Sequence, residues 1–572
     1  MKYTDILKKN KELARELIGE KYKIALISNI TISHLKEVLE LTLREKGINA
    51  EVTLADYDVI VQESHRYSNF NAVVIFWELI NLVDGLQSKI YLMDQDEIDR
   101  LENKVKSEID IVLNNTANVP LVIINQFSAA LLDNNPFQQG PLKILGNQLN
   151  KSLRTKLITT QVVFDINTVF SNIGIEKCRD LRQFHTSKTL YTVDFFRNYC
   201  KSTLPAFLAV NGKSKKVLVL DCDNTLWSGI IGEDGEMGVQ MNDSTPKGKI
   251  FKEIQTILLN MQKQGVLLAL CSKNNEEDVN MILNNHPDML LRDNNIVAKR
   301  INWQDKATNI AEIASELNLG LDSFVFLDDS NFEIGLVKQK LPMVESVQVP
   351  ANISEFPLLL KELKMLFFSF SKTDEDNNKT EMYLQESQRK KHLQFHDSIG
   401  NYLASLGLSL SIIWDKEIPV SRAAQMTQKT NQFNLTTIRY TESDIIRMLD
   451  DPEYVVVAFS VSDQFGEYGI TGMAIIHIKN SIAYLDTLLM SCRVIGRNLE
   501  IAFLDEIVLF LMKKNIKTLL TSYVRTPKNK QVESFFEKFG FTVIESNELR
   551  KDFSIQLENY KMNNLSYIKI IQ

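Results

Sequence analysis

The stretch that decides the fold is residues 216–235, which read KVLVLDCDNTLWSGIIGEDG. Its first part, 217–220, is a short apolar run, as expected for a strand that is buried on both faces of a parallel sheet. Asp221 and Asp223 follow directly, at the end of the strand where ligands bind in open α/β sheets. Two like charges this close are costly unless a cation or a shared proton relieves them. Alone, the pair is equally compatible with an acidic turn that caps the next helix.

Two later apolar runs, 266–271 and 324–327, also read as buried strands that end in polar side chains. Helical patterns at 250–264 and 276–284 separate the strands, and an apolar-periodic helix is predicted at 307–319. The side chains placed at the strand ends or just before that last helix are Ser272, Lys273, Asn274, Lys306, Asp328 and Asp329. The order therefore predicts that one edge of a parallel sheet carries carboxylates, a hydroxyl and a lysine.

This order of motifs resembles the haloacid dehalogenase (HAD) superfamily of phosphohydrolases. The resemblance implies a Rossmann-like sheet, with Asp221 as nucleophile toward phosphorus and Asp223 as general acid and base. It also implies phosphate binding, charge neutralisation by Lys306, and Mg²⁺ as the cofactor. The implied phosphate-binding residues are Thr225, Ser272, Lys273 and Asn274. The implied metal ligands are Asp221, Asp223 through its backbone carbonyl, and Asp328 or Asp329. The short interval between Asp221 and Ser272 leaves no room for a large cap domain.

Composition sets further bounds. The chain has 572 residues, too many for one core, and a net charge of −7 from 72 acidic and 65 basic residues, which disfavours nucleic acid as a partner. The longest apolar stretch near the start, residues 72–77, is far shorter than the roughly 20 residues of a membrane span, and the N-terminus lacks a signal-peptide core. The five cysteines are scattered without paired spacing. We therefore expect a cytoplasmic protein with neither nucleic-acid nor membrane partners.

Residues 1–210 read as a separate α/β domain with strands at 23–29, 50–54, 73–76, 120–124 and 161–164. Ser28 at a strand end resembles the nucleophile of SGNH-type esterases. Those enzymes need a D-x-x-H pairing near the end of the domain, whereas Asp180 and His185 are five residues apart. We therefore expect an SGNH-like scaffold or docking domain without catalysis of its own.

Further domains follow: the HAD-like domain at 211–370, a charged linker at 371–390, and an α+β domain at 391–572. In the last, strand patterns at 455–459, 472–477 and 482–488 precede an R-x-x-G loop and an amphipathic helix. This resembles GNAT acyltransferases, which hold the pyrophosphate of coenzyme A on such a loop. The loop residues are Arg493, Gly496, Arg497 and Asn498. Because Asn498 replaces a small residue, we expect recognition of pantetheine or a carrier protein rather than of free acyl-CoA.

Together, DCDNTLWSGIIGEDG, CSKNN, TNQFNLT and SCRVIGRN resemble the FkbH-like (HAD-IIIC) family from about residue 20 to 545. The resemblance implies a role in secondary-metabolite or polyketide biosynthesis. It implies transfer of glyceryl from 1,3-bisphosphoglycerate, with phosphate removal, to the phosphopantetheine thiol of an acyl carrier protein. Cys271, beside Ser272, is a candidate to carry the acyl group, and its alternative interpretation is a buried strand cysteine. The alternative functions are a plain phosphomonoesterase acting on a sugar phosphate or phosphoprotein, and a non-catalytic assembly protein.

Overall fold

The computed structural model describes residues 2–131, 137–370, 373–393 and 398–571. The chain divides into two compact units. Unit 1 comprises Met1–Val210 and Tyr440–Asp444, and unit 2 comprises Asn211–Arg439 and Ile445–Gln572. In the described ranges, no helix combines the length and the apolar character needed to cross a membrane.

Unit 1 contains a five-stranded parallel sheet in the order β2-β1-β3-β4-β5. Its strands are β1 (Tyr22–Ser28), β2 (Ala50–Leu54), β3 (Ala72–Phe76), β4 (Val122–Asn125) and β5 (Gln161–Phe164). Its helices are α1 (Tyr3–Glu16), α2 (Ser33–Arg44), α3 (Ile60–Glu63), α4 (Leu86–Lys89), α5 (Gln95–Asn115), α6 (Pro141–Lys156), α7 (Asn167–Ile173), α8 (Ile175–Cys178), α9 (Leu181–Ser187) and α10 (Val193–Val210). The strands predicted for this part of the chain all form, with ends shifted by at most two residues.

The first half of unit 2 contains a second five-stranded parallel sheet, in the order β10-β9-β6-β7-β8. Its strands are β6 (Val217–Leu220), β7 (Leu267–Ser272), β8 (Ile296–Ile301), β9 (Phe324–Asp328) and β10 (Glu345–Gln348). Its helices are α11 (Ile231–Asp234), α12 (Pro246–Gln262), α13 (Glu276–Asn285), α14 (Lys306–Leu317), α15 (Asn331–Lys340) and α16 (Phe356–Lys364). All four residues of β6 are buried, because helices cover both faces of the sheet.

The second half of unit 2 is an α+β part with a nine-stranded sheet, whose main path is β17-β18-β16-β15-β14-β13-β11-β19, with β12 paired to β15. Its strands are β11 (Leu408–Trp414), β12 (Phe433–Asn434), β13 (Tyr454–Asp463), β14 (Gly466–Lys479), β15 (Ile482–Met490), β16 (Thr518–Val524), β17 (Thr542–Ser546), β18 (Arg550–Gln556) and β19 (Ile568–Ile571). Its helices are α17 (Asp374–Asn377), α18 (Lys379–Leu393), α19 (Ile399–Ser405), α20 (Val420–Lys429) and α22 (Leu499–Lys513), together with the part of α21 (Glu442–Asp450) that follows Asp444. The predicted multidomain α/β fold class is confirmed.

The predicted linker at 371–390 is wrong for most of its described length, since α18 is a packed helix. Tyr383 is 5% exposed and Arg389 is 0% exposed. Arg389 forms a two-pronged ion pair with Asp463 of β13, with nitrogen–oxygen distances of 2.8 and 2.9 Å. The helix lacks a clear apolar stripe, so its hydrophobic pattern did not predict burial. The buried ion pair between Arg389 and Asp463 instead fixes α18 against β13.

Candidate active site

The carboxyl ends of three neighbouring strands bring several predicted site residues together. β6 lies between β9 and β7 in its sheet. Asp221 follows β6 directly, Ser272 is the last residue of β7, and Asp328 is the last residue of β9. Because the strands are parallel, these residues lie at one edge of the sheet, where ligands bind in open α/β folds.

Lys306 bridges two of the carboxylates from the first turn of α14. Asp305 caps that helix by accepting a hydrogen bond from the Thr308 backbone N–H at 3.1 Å. The cap fixes where α14 begins and therefore where Lys306 lies. The Lys306 Nζ atom lies 2.9 Å from Asp221 Oδ1 and 2.6 Å from Asp328 Oδ2. Burial opposes its charge, but the attraction of both carboxylates raises the pKa of the Lys306 ammonium above its ordinary value. Lys306 is therefore a charged, buried clamp.

Asp221, Asp328 and Asp329 form a carboxylate cluster. Each offers an oxygen atom, and the three oxygens lie within 4.8 Å of one another. Burial and then repulsion by Asp221 raise the pKa of Asp328 to about 6, and the same two causes raise the pKa of Asp329. Hard oxygen donors crowded in this way suit a small divalent cation such as Mg²⁺. The residues present therefore fit the predicted metal, with Asp328 and Asp329 both contributing.

The Asp223 carboxylate is held separately from this cluster. Its Oδ1 atom accepts hydrogen bonds from the indole N–H of Trp227 at 2.9 Å and from the Ile231 backbone N–H at 3.2 Å. Its Oδ2 atom accepts a hydrogen bond from the side-chain amide of Asn274 at 3.0 Å. Trp227 was not predicted as a site residue, although its position four residues after Asp223 was visible in the sequence. This arrangement suits a carboxylate that is oriented for proton transfer.

The hydroxyl groups of Thr225 and Ser272 and the side-chain amide of Asn274 also lie at the carboxyl ends of these strands. Thr225 is 0% exposed, and its Oγ1 atom has no hydrogen-bond partner among the described residues. Ser272 is almost fully buried, and its Oγ atom accepts a hydrogen bond from Asn274 at 3.1 Å. A buried hydroxyl without a partner is costly unless a ligand supplies one. Thr225 is therefore available to donate to a bound phosphate.

Lys273 makes a contact that the sequence did not predict. Its Nζ atom lies 2.7 Å from Glu333 Oε1, and Glu333 is buried in the first turn of α15. The Ser330 side chain caps this helix and so fixes the position of Glu333. The signal was a serine three residues before a glutamate, which marks a helix start. The Lys273 charge is thus already paired within the protein.

Cys271 does not face this site. It is 0% exposed within an apolar cluster that includes Val219 and Phe326, and its thiol points toward the Lys306 backbone carbonyl at 3.8 Å. Its neighbour Ser272 points to the other face of the strand, as alternation requires. Burial raises the pKa of the Cys271 thiol to about 12, so the reactive thiolate is scarce at neutral pH. These facts contradict Cys271 as the acyl carrier and favour the buried-cysteine interpretation.

The R-x-x-G loop after β15 packs against α18. The Arg497 guanidinium donates to the Glu386 carboxylate at 2.7 and 2.9 Å, and Arg493 is 9% exposed. Asn498 adopts a left-handed backbone with φ of 61°, and its side chain donates to the Tyr567 hydroxyl at 2.7 Å. A Cβ atom added at Gly496 would meet nothing within 4 Å. The Arg497 guanidinium is therefore already paired within the protein, whereas Arg493 is buried without such a carboxylate partner among the described residues and Gly496 faces open space.

The gap between β15 and β16 is filled by the chain itself. These strands pair in parallel only from Ile482 to Leu485 on β15. Farther along, the Leu435 backbone N–H donates to Leu488 O at 3.2 Å, and Leu435 O accepts from the Val524 N–H at 2.8 Å. The TNQFNLT stretch thus bridges the two diverging strands. Its backbone satisfies groups that an extended ligand would otherwise pair with.

Ser28 in unit 1 lacks the surroundings of an esterase nucleophile. Its Oγ atom donates to the Ile30 carbonyl at 2.5 Å, and the residue is buried. Asp180 serves as the cap of α9, accepting from the Gln183 N–H at 3.1 Å, and His185 on that helix is exposed. The scaffold or docking role of residues 1–210 stays a prediction.

No family model matches the chain, and no curated protein matches it. Among solved structures, the N-terminal part of a Bacteroides fragilis protein, which contains a phosphatase domain and was complexed with Mg, aligns at 23% identity and a TM-score of 0.57. That alignment covers 65% of this chain and 100% of the other. This likeness shows a shared fold.

Two N-acetyltransferase structures also align. The ribosomal-protein-S18-alanine N-acetyltransferase of Escherichia coli has 15% identity and a TM-score of 0.21, covering 27% of this chain and 97% of its own. The PaiA N-acetyltransferase of Thermoplasma acidophilum, in complex with coenzyme A, has 14% identity and a TM-score of 0.18, covering 30% and 87%.

Proposed function

We propose that this protein is a Mg²⁺-dependent enzyme of the HAD type that releases phosphate and passes an acyl group to a carrier-protein thiol. The favoured donor is 1,3-bisphosphoglycerate and the favoured acyl group is glyceryl. The observation that carries the phosphatase half is the buried clamp of Lys306 between Asp221 and Asp328, with Asp329 beside them. A nucleophilic carboxylate, a cation site and a fixed lysine are the parts that phosphoryl transfer needs.

The phosphatase half follows from the chain's own residues. An Asp221 oxygen attacks phosphorus, so a bond to phosphorus forms while the bond to the leaving oxygen breaks, and Asp223 gives that oxygen a proton. Asp223 then takes a proton from the water that hydrolyses the aspartyl-phosphate. Thr225 donates a hydrogen bond to the phosphoryl group. Mg²⁺ held by Asp221, Asp328 and Asp329 would neutralise phosphate charge when bound.

The acyl-transfer half uses the other phosphate of the donor. The carrier's phosphopantetheine thiol attacks the acyl carbon, the carbon–oxygen bond to phosphate breaks, and the thiol proton leaves with the phosphate. The remaining phosphomonoester is the substrate of Asp221. Because Cys271 is buried with its pKa at about 12, we propose direct transfer to the carrier thiol, without an acyl-enzyme at that residue.

The proposal is tested by measuring phosphate released from 1,3-bisphosphoglycerate with and without a carrier protein that bears a free phosphopantetheine thiol. The donor hydrolyses spontaneously, so a reaction without enzyme is subtracted. We expect carrier-dependent release of two phosphates per acyl group, of which the second requires Mg²⁺ and Asp221. Mg²⁺-dependent phosphate release at the same rate with and without the carrier would instead favour the plain phosphomonoesterase. No enzyme-dependent release in any reaction would favour the non-catalytic assembly protein.

A further inference from the structure

Unit 2 contains a cavity of about 390 Å³ at the amino ends of the strands of the parallel sheet. Asp221 lies at the other side, at the carboxyl ends of the same strands. Its walls include Lys216, which directly precedes β6, and residues 319–323, which precede β9. Further wall residues come from helices α17, α18 and α20, from Met343, and from the segments 430–432, 491–493 and 527–528. Since a strand rises about 3.3 Å per residue, Lys216 and Asp221 are about 16 Å apart. The cavity is therefore distinct from the carboxylate cluster.

The walls of this cavity carry an excess of positive charge. Its six cationic side chains are Lys216, Lys379, Arg422, Lys429, Arg493 and Lys528. Its three acidic side chains are Asp322, Glu375 and Asp376. Each acid has one partner among the cations, which are Lys528, Arg422 and Lys429 respectively. Three positive charges are left over.

The three remaining cations contact neutral atoms. The Lys216 ammonium donates to the Lys429 backbone carbonyl at 3.0 Å, and the Lys379 ammonium donates to the Gly265 carbonyl at 2.9 Å. The Arg493 Nε atom lies 3.4 Å from the Ser491 hydroxyl. Within the described part of the chain, none of the three lies within 4 Å of a carboxylate oxygen. Grouped cations without a matching acid favour an anionic ligand.

The lowered pKa values of Lys379 and Lys216 also favour an anionic ligand. Burial, and then repulsion by Lys429, lowers the pKa of Lys379 to about 7. Burial also lowers the pKa of Lys216. A bound anion would offset both effects. The walls also include apolar side chains, among them Leu319, Met343 and Met426, which suit the organic portion of a ligand rather than a bare ion.

We propose that this cavity binds a phosphate-bearing small molecule, with the phosphate held by Lys216, Lys379 and Arg493 and the organic portion against the apolar wall. Clustered lysine and arginine side chains are the usual protein partners of phosphate oxygens. Two sources share this chemistry: a phosphorylated organic acid such as 3-phosphoglycerate, and a phosphopantetheine arm. The proposal stands independently of the phosphatase function, since the two sites share no residue.

Cys492 provides a local reporter for this cavity. It lines the cavity, and its thiol lies next to Tyr383 of α18. The other four cysteines are 0% exposed, whereas Cys492 is partly exposed. A neutral maleimide should therefore modify Cys492 first in the native protein, and a ligand in the cavity should slow that reaction. A ligand bound at Asp221 would leave it unchanged.

The experiment uses the full chain with EDTA present and follows maleimide incorporation by intact mass. Phosphopantetheine, 3-phosphoglycerate and inorganic phosphate are added in separate reactions, with sodium chloride matched for ionic strength. Cys492→Ala identifies the labelled residue. Lys379→Met and Lys216→Met remove the cations, and Lys479→Met, at the exposed end of β14, is the matched control. Circular dichroism establishes that each variant is folded.

We expect at least one organic phosphate to slow labelling by fivefold or more, with weaker protection by inorganic phosphate. Lys379→Met should abolish the protection, and Lys479→Met should keep it. The preferred organic phosphate identifies the source. Protection by none of the phosphates, or equal protection in Lys379→Met, would overturn the proposal. Should Cys492 resist labelling, calorimetry on the Asp221→Asn protein with the same compounds decides, and heats unchanged by Lys379→Met would overturn it.

Discussion

The Asn274 side chain donates a hydrogen bond to Asp223 Oδ2 at 3.0 Å and so separates this carboxylate from the other aspartates of the site. Asp221, Asp328 and Asp329 form the candidate cation site, and Lys306 lies within ion-pair distance of Asp221 and Asp328. Asp223 instead has neutral hydrogen-bond donors on both oxygens. One edge of the sheet therefore contains a charged cluster suited to phosphate and a separate carboxylate suited to moving protons.

Asp223→Asn should lower the rate of phosphate release by an amount that depends on the leaving group of the substrate. An alkyl phosphate such as 3-phosphoglycerate needs a proton on its leaving oxygen, so we expect kcat to fall by about 10²–10⁴. An aryl phosphate with an acidic leaving group needs little protonation, so its first step should fall by less than about tenfold. Single-turnover rates on both substrates check this.

The Asn274 contact offers a milder form of the same test. Asn274→Ala should lower the alkyl-phosphate rate more than the aryl-phosphate rate, because Asp223 loses one orienting donor. Asn275→Ala is the matched control, since the exposed Asn275 side chain contacts Asp278 instead. Equal losses on both substrates would show that Asn274 acts on phosphate binding rather than on Asp223.

Cys271→Ala should leave acyl transfer to the carrier within about twofold of wild type. Removing a buried thiol should lower the free energy of unfolding by about 1 kcal/mol, which denaturant titration measures. Cys178→Ala, at another fully buried cysteine, is the control for this stability effect. A hydroxylamine-labile acyl group on wild type that is absent from Cys271→Ala would show that the thiol is used after all.

The affinity of the cavity for phosphate should fall as the pH rises from about 7 to 9. Lys379 faces Lys429, Lys216, Arg493 and Asp376, and its pKa is lowered to about 7. A bound phosphate favours the charged lysine and raises this pKa, so binding takes up a proton. Phosphate itself is already mostly dianionic above about pH 7. The measurement is the phosphate concentration that gives half-maximal protection of Cys492 from maleimide, determined at several pH values. In Lys379→Arg, which stays charged, this concentration should depend less on pH. A pH dependence equal to that of wild type would contradict the role of Lys379.

Arg389→Met should destabilise unit 2 by about 3–5 kcal/mol, because it leaves the buried Asp463 carboxylate without its ion-pair partner. The control is Lys416→Met, which breaks an exposed pair with Asp450 and should cost less than about 1 kcal/mol. Denaturant unfolding compares the two. A cost below 1 kcal/mol for Arg389→Met would show that the ion pair with Asp463 contributes little to the packing of α18.

Sequence patterns predicted the parallel sheets well because strands that are buried on both faces are continuous apolar runs. Residues 217–220 coincide with β6, and residues 161–164 coincide with β5. The sequence analysis did not predict β8 or β10. Lys299 and Arg300 interrupt the apolar pattern of β8, and β10 begins with Glu345 and ends with Gln348. Edge strands of this kind carry polar residues, and their apolar pattern is correspondingly weak.

Within the site, the strand ends placed Asp221, Ser272 and Asp328 at one edge, which topology alone requires. Partners that depend on three-dimensional contact were beyond the sequence. The ion pair of Lys273 with Glu333 joins residues 60 positions apart, and the burial of Cys271 depends on where β7 ends. The cavity at Lys216 was likewise not predicted, because its walls come from segments spread between residues 216 and 528.

The central claim is that one chain both loads an acyl carrier thiol and removes a phosphate through Asp221. The most direct measurement is the intact mass of the carrier protein after incubation with 1,3-bisphosphoglycerate, Mg²⁺ and either wild type or Asp221→Asn. We predict glyceryl-carrier from wild type and phosphoglyceryl-carrier from Asp221→Asn, because the variant can transfer the acyl group but cannot hydrolyse the phosphomonoester. An unmodified carrier in both reactions, or glyceryl-carrier formed equally by both proteins, would contradict the claim.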